Sequence, residues 1–178
     1  MPDVTIRRAT IADAAALAHV HVRGWQAAYH GLMPQDHLDG LDVAEREVRW
    51  RGWLAGDHPS IAVLVWEDAD GVVGGFVNVA AGPDATGEVN ALYLLPEHWD
   101  RGAGRRLLAD GLRVLAAAGC DTATLWVLDT NRRARRFYEI GGWRPDGATR
   151  IDDSLGLSLP ETRYRRELDG QGLRPTAA

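Results

Sequence analysis

Apolar positions along this chain switch repeatedly between a period of two and a period near four, so strands and helices must alternate. Val4 to Arg8 alternates and predicts a short first strand. Thr10 opens a capping pattern with Asp13, and Ile11, Ala15, Ala18, Val22 and Trp25 recur at helical spacing as far as Tyr29-His30-Gly31. Asp42-Val43-Ala44-Glu45 repeats the capping pattern after the Met33-Pro34 loop and predicts a second helix, to about Leu54, carrying Trp50 and Trp53. The apolar run Ile61 to Trp66, the turn Asp68 to Gly71 and the run Val72 to Ala80 predict a hairpin.

A further strand is expected over Glu88 to Leu95 and a helix over about Gly104 to Ala118, with Leu107, Leu108, Gly111, Leu112 and Leu115 facing inward and Gly119 as its cap. Thr122 to Leu128 predicts a fifth strand, Asn131 to Ile140 a fourth helix, and Gly141-Gly142 its stop. Pro145 to Pro160, rich in Gly, Asp and Ser, predicts a long loop with at most one short strand. Glu161 to Leu168 reads as the last strand, and residues 169–178 as a frayed tail. With no repeat or linker between them, residues 1–168 are expected to form a single domain.

Composition narrows the chemistry. The net charge of -5 argues against binding nucleic acid through a general basic field. All 20 basic residues are arginine, which removes a lysine Schiff base, a P-loop lysine and a catalytic lysine. One cysteine, Cys120, cannot form an internal disulfide and is expected to be a packed small residue. With no apolar h-region at the N-terminus and no run long enough to span a bilayer, a cytoplasmic location without membrane attachment is expected. His19 and His21 are two apart on a helix and do not face the same way, so no metal site is expected there.

Between the strand ending near Leu95 and the following helix lies Trp99-Asp100-Arg101-Gly102-Ala103-Gly104-Arg105-Arg106. A Gly-rich turn opening into a helix leaves backbone N–H groups free at the positive end of the helix dipole, which suits phosphate. A dinucleotide fingerprint would need a third glycine about where Leu107 stands. A phosphorylated ligand of another kind is therefore expected, with Arg101, Arg105 and Arg106 adding charge.

The run Leu92 to Gly104 resembles the acetyl-CoA signature of the GNAT acetyltransferase superfamily, Gln/Arg-x-x-Gly-x-Gly/Ala, with Trp99 in place of the first residue. A second stretch, Asn131-Arg132-Arg133-Ala134-Arg135-Arg136-Phe137-Tyr138-Glu139-Ile140-Gly141-Gly142-Trp143, is similar to that family's Asn-x-x-Ala-x-x-x-Tyr-x-x-x-Gly-Phe, with Trp143 replacing Phe. The order of elements matches over roughly residues 3–168. The resemblance implies an α/β (α+β) fold with a GNAT-like mixed, mostly antiparallel sheet of about six to seven strands and about four helices. It implies acetyl-CoA as cosubstrate, the backbone of Leu92, Tyr93 and Leu94 aligning the pantetheine arm. The N–H groups of Arg101, Gly102, Ala103, Gly104 and Arg105 would hold the pyrophosphate, and Asn131 and Ala134 would face the cofactor.

Amine acetylation requires that an ammonium with a pKa near 10.4 lose a proton, that a developing oxyanion find a donor, and that the departing thiolate gain a proton. Glu88 is the candidate base, since strand alternation groups it with Asn90, Leu92 and Leu94. An exposed charge at the start of a strand is the competing reading. Tyr138 is the candidate acid, sharing a helix face with Asn131 and Ala134, against the alternative of a core tyrosine. Arg132, Arg133, Arg135 and Arg136 read as a solvated face. Trp25 and Tyr29, in a Trp-x-x-x-Tyr-x-Gly pattern similar to that of a GNAT subgroup, are i,i+4 neighbours able to wall an acceptor site for a cationic amine; core packing explains Trp25 equally.

These readings converge on an N-acetyltransferase acting by direct transfer to the primary amine of a small molecule or peptide, with no nucleic acid, membrane or metal involved. A non-catalytic acyl-CoA-binding regulatory module is the alternative, and the presence of both Glu88 and Tyr138 favours the enzyme. A homodimer is compatible with either reading, although no sequence feature specifies it.

Overall fold

The computed structural model describes residues 4–168; the expected tail at 169–178 lies outside them. Strands β1 (Thr5–Arg8), β2 (Ile61–Glu67), β3 (Val73–Ala81), β4 (Thr86–Leu94), β5 (Thr122–Leu128), β6 (Arg144–Asp152) and β7 (Leu159–Glu167) form one sheet in the order β1-β2-β3-β4-β5-β7-β6. Every neighbouring pair is antiparallel except β4–β5. Five helices accompany it: α1 (Ala14–Ala28), α2 (Gln35–Asp39), α3 (Val43–Leu54), α4 (Ala103–Ala117) and α5 (Arg132–Ile140). The mixed α/β class and the mostly antiparallel sheet follow the expectation.

The sheet buries both faces. On one, α4 lays Leu107, Leu112 and Leu115 against Val77, Val79, Val89 and Leu125. Gly111 lets it sit close: a Cβ there would meet Val79 at 3.0 Å and Val77 at 3.3 Å. On the other, Leu17 of α1 and Trp50 of α3 cover Val63, Val65 and Phe76. A third cluster joins Leu38 of α2 to Leu128 and Leu159, with Trp25 and Tyr29 packed against it. No described helix is long and apolar enough to cross a membrane.

The parallel pair is the irregular one. β4 and β5 match only at Thr86 with Thr122, Gly87 with Ala123 and Glu88 with Thr124. Beyond these, β4 stays with β3 as far as Leu94, and β5 with β7 as far as Leu128. The sheet therefore opens into a wedge walled by two strand edges whose backbone groups lack a ladder partner on that side.

Three expectations are corrected. The segment from Pro145 is a nine-residue strand, β6, instead of a loop. Its Pro and Gly content hides the strand, but β6 is at the sheet edge and pairs with β7 through an irregularity between Pro145 and Thr149, where Gly147 takes φ +92°. The short α2, with Pro34 at its N-cap, falls in what reads as loop. The buried stripe of α1 runs through Ala14, Leu17, Ala18 and Val22, whereas Ile11 and Ala15 are exposed. The carboxylate of Asp13 explains that shift: it accepts from the Thr10 amide (2.7 Å) and pairs with Arg7 (2.8 Å), fixing the helix start over β1.

Candidate active site

Glu88 is the last β4 residue paired with β5, so its backbone marks the vertex of the wedge. Its grouping with Leu92 and Leu94 does not hold. Asn78 faces Ala91 while Val79 faces Val89, which leaves Asn90 as an extra, unpaired residue. A bulge inverts alternation across itself. Val89, Leu92 and Leu94 belong to the α4 side, whereas Ala91 and Tyr93 pack on the α1 side. Glu88 is thereby turned to the α1 side, and Asn90 joins it there, donating to Asn78 Oδ1 at 3.1 Å.

At the other end of β4, roughly 20 Å along the strand, the chain passes a 3-10 turn at Pro96–His98 and enters α4. Asp100 and Gly102 adopt positive φ (58° and 84°). No side chain caps α4, and its first backbone bond runs from Arg106 N to Gly102 O at 3.1 Å. The amides of Ala103, Gly104 and Arg105 are thus left as free donors around a positive helix terminus. Arg101, Arg105 and Arg106 are exposed beside them with no carboxylate partner among the described residues. Trp99 braces this loop: its Nε1 donates to Leu94 O at 3.1 Å, and Arg133 lies 4.2 Å over its ring while pairing with Asp100 at 3.0 Å. Trp99 and Arg133 thus hold the loop between β4 and α5. Arg133 is not merely a solvated charge.

Asn131 caps α5, its Oδ1 accepting from Ala134 N at 3.0 Å, and is buried. Tyr164 of β7 clamps the helix from below, donating to Glu139 at 2.8 Å and accepting from Arg135 at 3.0 Å. This anchors Tyr138, whose ring packs edge-on against Phe137 and Trp143. Burial, and then the neighbouring Tyr29 phenol, raise the Tyr138 pKa above the usual tyrosine value.

Tyr138 packs with the α4 cluster and Tyr29 with the cluster that joins α2 to β5 and β7, and the Tyr29 phenol is near enough to Tyr138 to act on its pKa. Around Tyr29 the α1 side is aromatic. Trp25 meets Tyr29 at 5.0 Å, Tyr29 Oη lies 3.3 Å from Tyr93 Oη, and His21 stacks on Tyr93 at 5.5 Å. Burial also raises the Tyr29 and Tyr93 pKa values, and Glu161 of β7 acts on Tyr29 in the same direction. The structure therefore brings Trp25, Tyr29, Tyr93 and Tyr138 together. The Arg101 to Arg106 segment follows the opposite end of β4 from Glu88. The side chain of Tyr93, together with His21 and Glu161, escapes sequence reading because no spacing links three separate elements. Gly24 is a readable signal of their approach: a Cβ there would meet Tyr93 Cβ at 3.2 Å and Leu94 O at 3.3 Å, so α1 touches β4 at this point.

Residues 25–142, which include the wedge, the free amides and the capped α5, match the sequence profile of the acetyltransferase (GNAT) family. The chain belongs to the GNAT acetyltransferase family. Its GNAT relatives include the uncharacterized N-acetyltransferase YuaI of Bacillus subtilis (strain 168), 36% identical over 79% of this chain and 88% of that protein. Mycothiol acetyltransferase of Beutenbergia cavernae is 39% identical over 61% of this chain, which spans only 34% of that longer protein. Among solved GNAT structures, the PaiA N-acetyltransferase of Thermoplasma acidophilum in complex with coenzyme A superposes with a TM-score of 0.73 at 21% identity, covering 93% of this chain and 99% of that one. The putative acetyltransferase YncA of Salmonella typhimurium with acetyl-CoA gives 0.67 at 23% identity, covering 99% and 98%. These two neighbours share the fold described above.

Proposed function

We propose that this GNAT-family acyltransferase, acting as one domain over residues 1–168, transfers acetyl from acetyl-CoA directly to the primary amine of a small molecule or peptide. The observation that carries this is the wedge, open from the free amides of α4 at its mouth to Glu88 at its vertex. An anionic phosphate group fits unsatisfied N–H donors at a helix terminus, and an amide-bearing arm fits an unpaired strand edge. The chain's own groups fit that ligand, which supplies the acetyl group as an activated thioester.

The amides of Arg101 to Arg105 hold the pyrophosphate, with Arg105 and Arg106 adding charge. The edge formed by Leu92, Tyr93 and Leu94 aligns the pantetheine arm, and a backbone N–H near Leu94 polarises the thioester carbonyl. Glu88, turned by the bulge to the same face as Tyr93, takes the proton from the incoming ammonium through a chain of waters along the wedge. Tyr138, a phenol protonated at neutral pH, delivers its proton to the departing sulfur. Trp25 and Tyr29, joined by Tyr93, wall the acceptor. Asn131 serves by fixing α5 and, through Ala134, the position of Tyr138 on the helix.

Calorimetric titration with CoA and acetyl-CoA tests the cofactor reading: binding is expected, and no heat at millimolar ligand would refute it. Thiol release over polyamines, amino acids, aminoglycosides and peptide N-termini then tests transfer. CoA binding without any acetylated amine across these classes would favour a binding module over an enzyme.

A further inference from the structure

Helix α5 carries Tyr138 but has little core to hold it. None of its residues is fully buried, and Ala134, Phe137 and Tyr138 only lie against the core on the α4 side. A helix without a buried stripe takes its position from contacts at its flanks. Tyr164 grips one flank through Arg135 and Glu139. Arg133 and Phe137, one turn apart on a single stripe, make the other flank.

Both of these side chains land on the turn that opens α4. The Arg133 guanidinium lies 4.2 Å over the Trp99 ring and donates to both carboxylate oxygens of Asp100, at 3.1 and 3.0 Å. Trp99 is itself tied to β4 through Leu94 O. Asp100 has φ +58°, a left-handed conformation that a residue with a side chain adopts at a cost, and Gly102 turns the same way to free the α4 amides. The Phe137 ring reaches the first turn of α4, where a Cβ on Gly104 would stand 3.5 Å from its Cζ, and it meets the Tyr138 ring edge-on at 5.2 Å. An exposed ion pair alone contributes little. Here one guanidinium makes both the pair and the stack, which its planarity allows and a lysine ammonium cannot reproduce.

We propose that Arg133 is a positioning residue: clamped between Trp99 and Asp100, it fixes the loop before α4 in its left-handed conformation and ties the placement of Tyr138 to that loop. This rests on the acetyltransferase reading above. Arg133 acts by bracing the loop and not as a charge on the phosphates, and the two roles have opposite signs at Asp100. Removing a carboxylate beside an anion site strengthens anion binding, whereas removing half of a clamp weakens it.

Calorimetric affinity for CoA tests the clamp in Arg133→Gln, Arg133→Lys, Asp100→Asn and the combination of Arg133→Gln with Asp100→Asn. Asparagine accepts the left-handed conformation, so Asp100→Asn removes the pair and keeps the backbone. Each single substitution, lysine included, is expected to raise Kd roughly three- to tenfold, and the combination no further than the larger single change. Tighter binding in Asp100→Asn, full recovery in Arg133→Lys, or additive losses would overturn the clamp. Hydrogen exchange tests the link to Tyr138 without turnover. Saturating CoA should slow exchange at the α5 amides of the unsubstituted chain, and that protection should fall severalfold in Arg133→Gln. Equal protection in both chains overturns the link. For any amine that is acetylated, Arg133→Gln should lower kcat at saturating acetyl-CoA but leave the residual kcat of Tyr138→Phe unchanged; the same loss in both backgrounds also overturns it. A chain that binds no CoA overturns the acetyltransferase reading, while CoA binding indifferent to Arg133 and Asp100 overturns the clamp alone, so the two failures are distinct.

Discussion

The two sides of the wedge are built on opposite principles. At its mouth the α4 side offers backbone: amides left free because Gly102 turns left-handed and no side chain caps the helix. The α1 side offers side chains: Trp25, Tyr29, Tyr93 and His21, drawn from one helix and one strand, with Trp50 from another helix. Backbone recognition demands a specific sequence of conformations, and so writes a motif. Side-chain recognition demands only that distant residues meet, and here writes no more than the local Trp25–Tyr29 pattern of one helix.

Substitutions that break one side while sparing the other should expose this division. The largest effect is expected at the reacting groups. Tyr138→Phe should lower turnover by roughly a hundredfold or more while CoA affinity by calorimetry is retained, and an undiminished kcat would remove Tyr138 as the acid. Its partner test, Glu88→Gln, should depress the rate most below the pKa of the amine; a pH–rate profile matching that of the unsubstituted chain would reduce Glu88 to a surface charge.

A smaller loss is expected at the contact between α1 and β4. Gly24→Ala places a methyl against Tyr93 Cβ and Leu94 O, so α1 must move. Denaturant unfolding should show a loss of about 1–3 kcal/mol. Acceptor KM should rise more than CoA Kd, because Trp25 and Tyr29 shift on the moving helix while the α4 amides do not. Equal damage to both constants would mean the two sides are not independent.

The mildest test is acid. Burial, aided by Arg46, lowers the His21 pKa from 6.5 to about 3. The unfolded chain therefore takes up a proton that the folded chain refuses. Stability contributed by neutral His21 is complete above pH 6.5 and is lost as pH falls toward 3, with a slope of at most about 1.4 kcal/mol per pH unit. Asp13, held at about 2 chiefly by its hydrogen bonds to Arg7, adds a separate loss below its ordinary value of 3.8. Chemical denaturation of His21→Leu across this range should show the upper part of the slope flattened, with the Asp13 part intact.

How much of this was legible follows the same division. The strand boundaries of β5, the inward face of α4 and the Gly102 turn could be read because periodicity and glycine geometry are local. Glu88 could be found but not oriented, since the extra residue at Asn90 is visible only against its partner strand. β6 was misread because Pro145 and Gly147 argue against an interior strand and are tolerated at an edge.

The three-residue junction of β4 with β5 has a mechanical meaning as well. It splits the sheet into two plates, β1 to β4 and β5 to β7, joined along one side by a short seam. A molecule lying in the gap with its amides against both edges would complete the interrupted ladder, so the ligand would act as a temporary piece of the sheet. Cofactor occupancy would then set how rigidly Tyr138 on one plate is held against Tyr29 on the other.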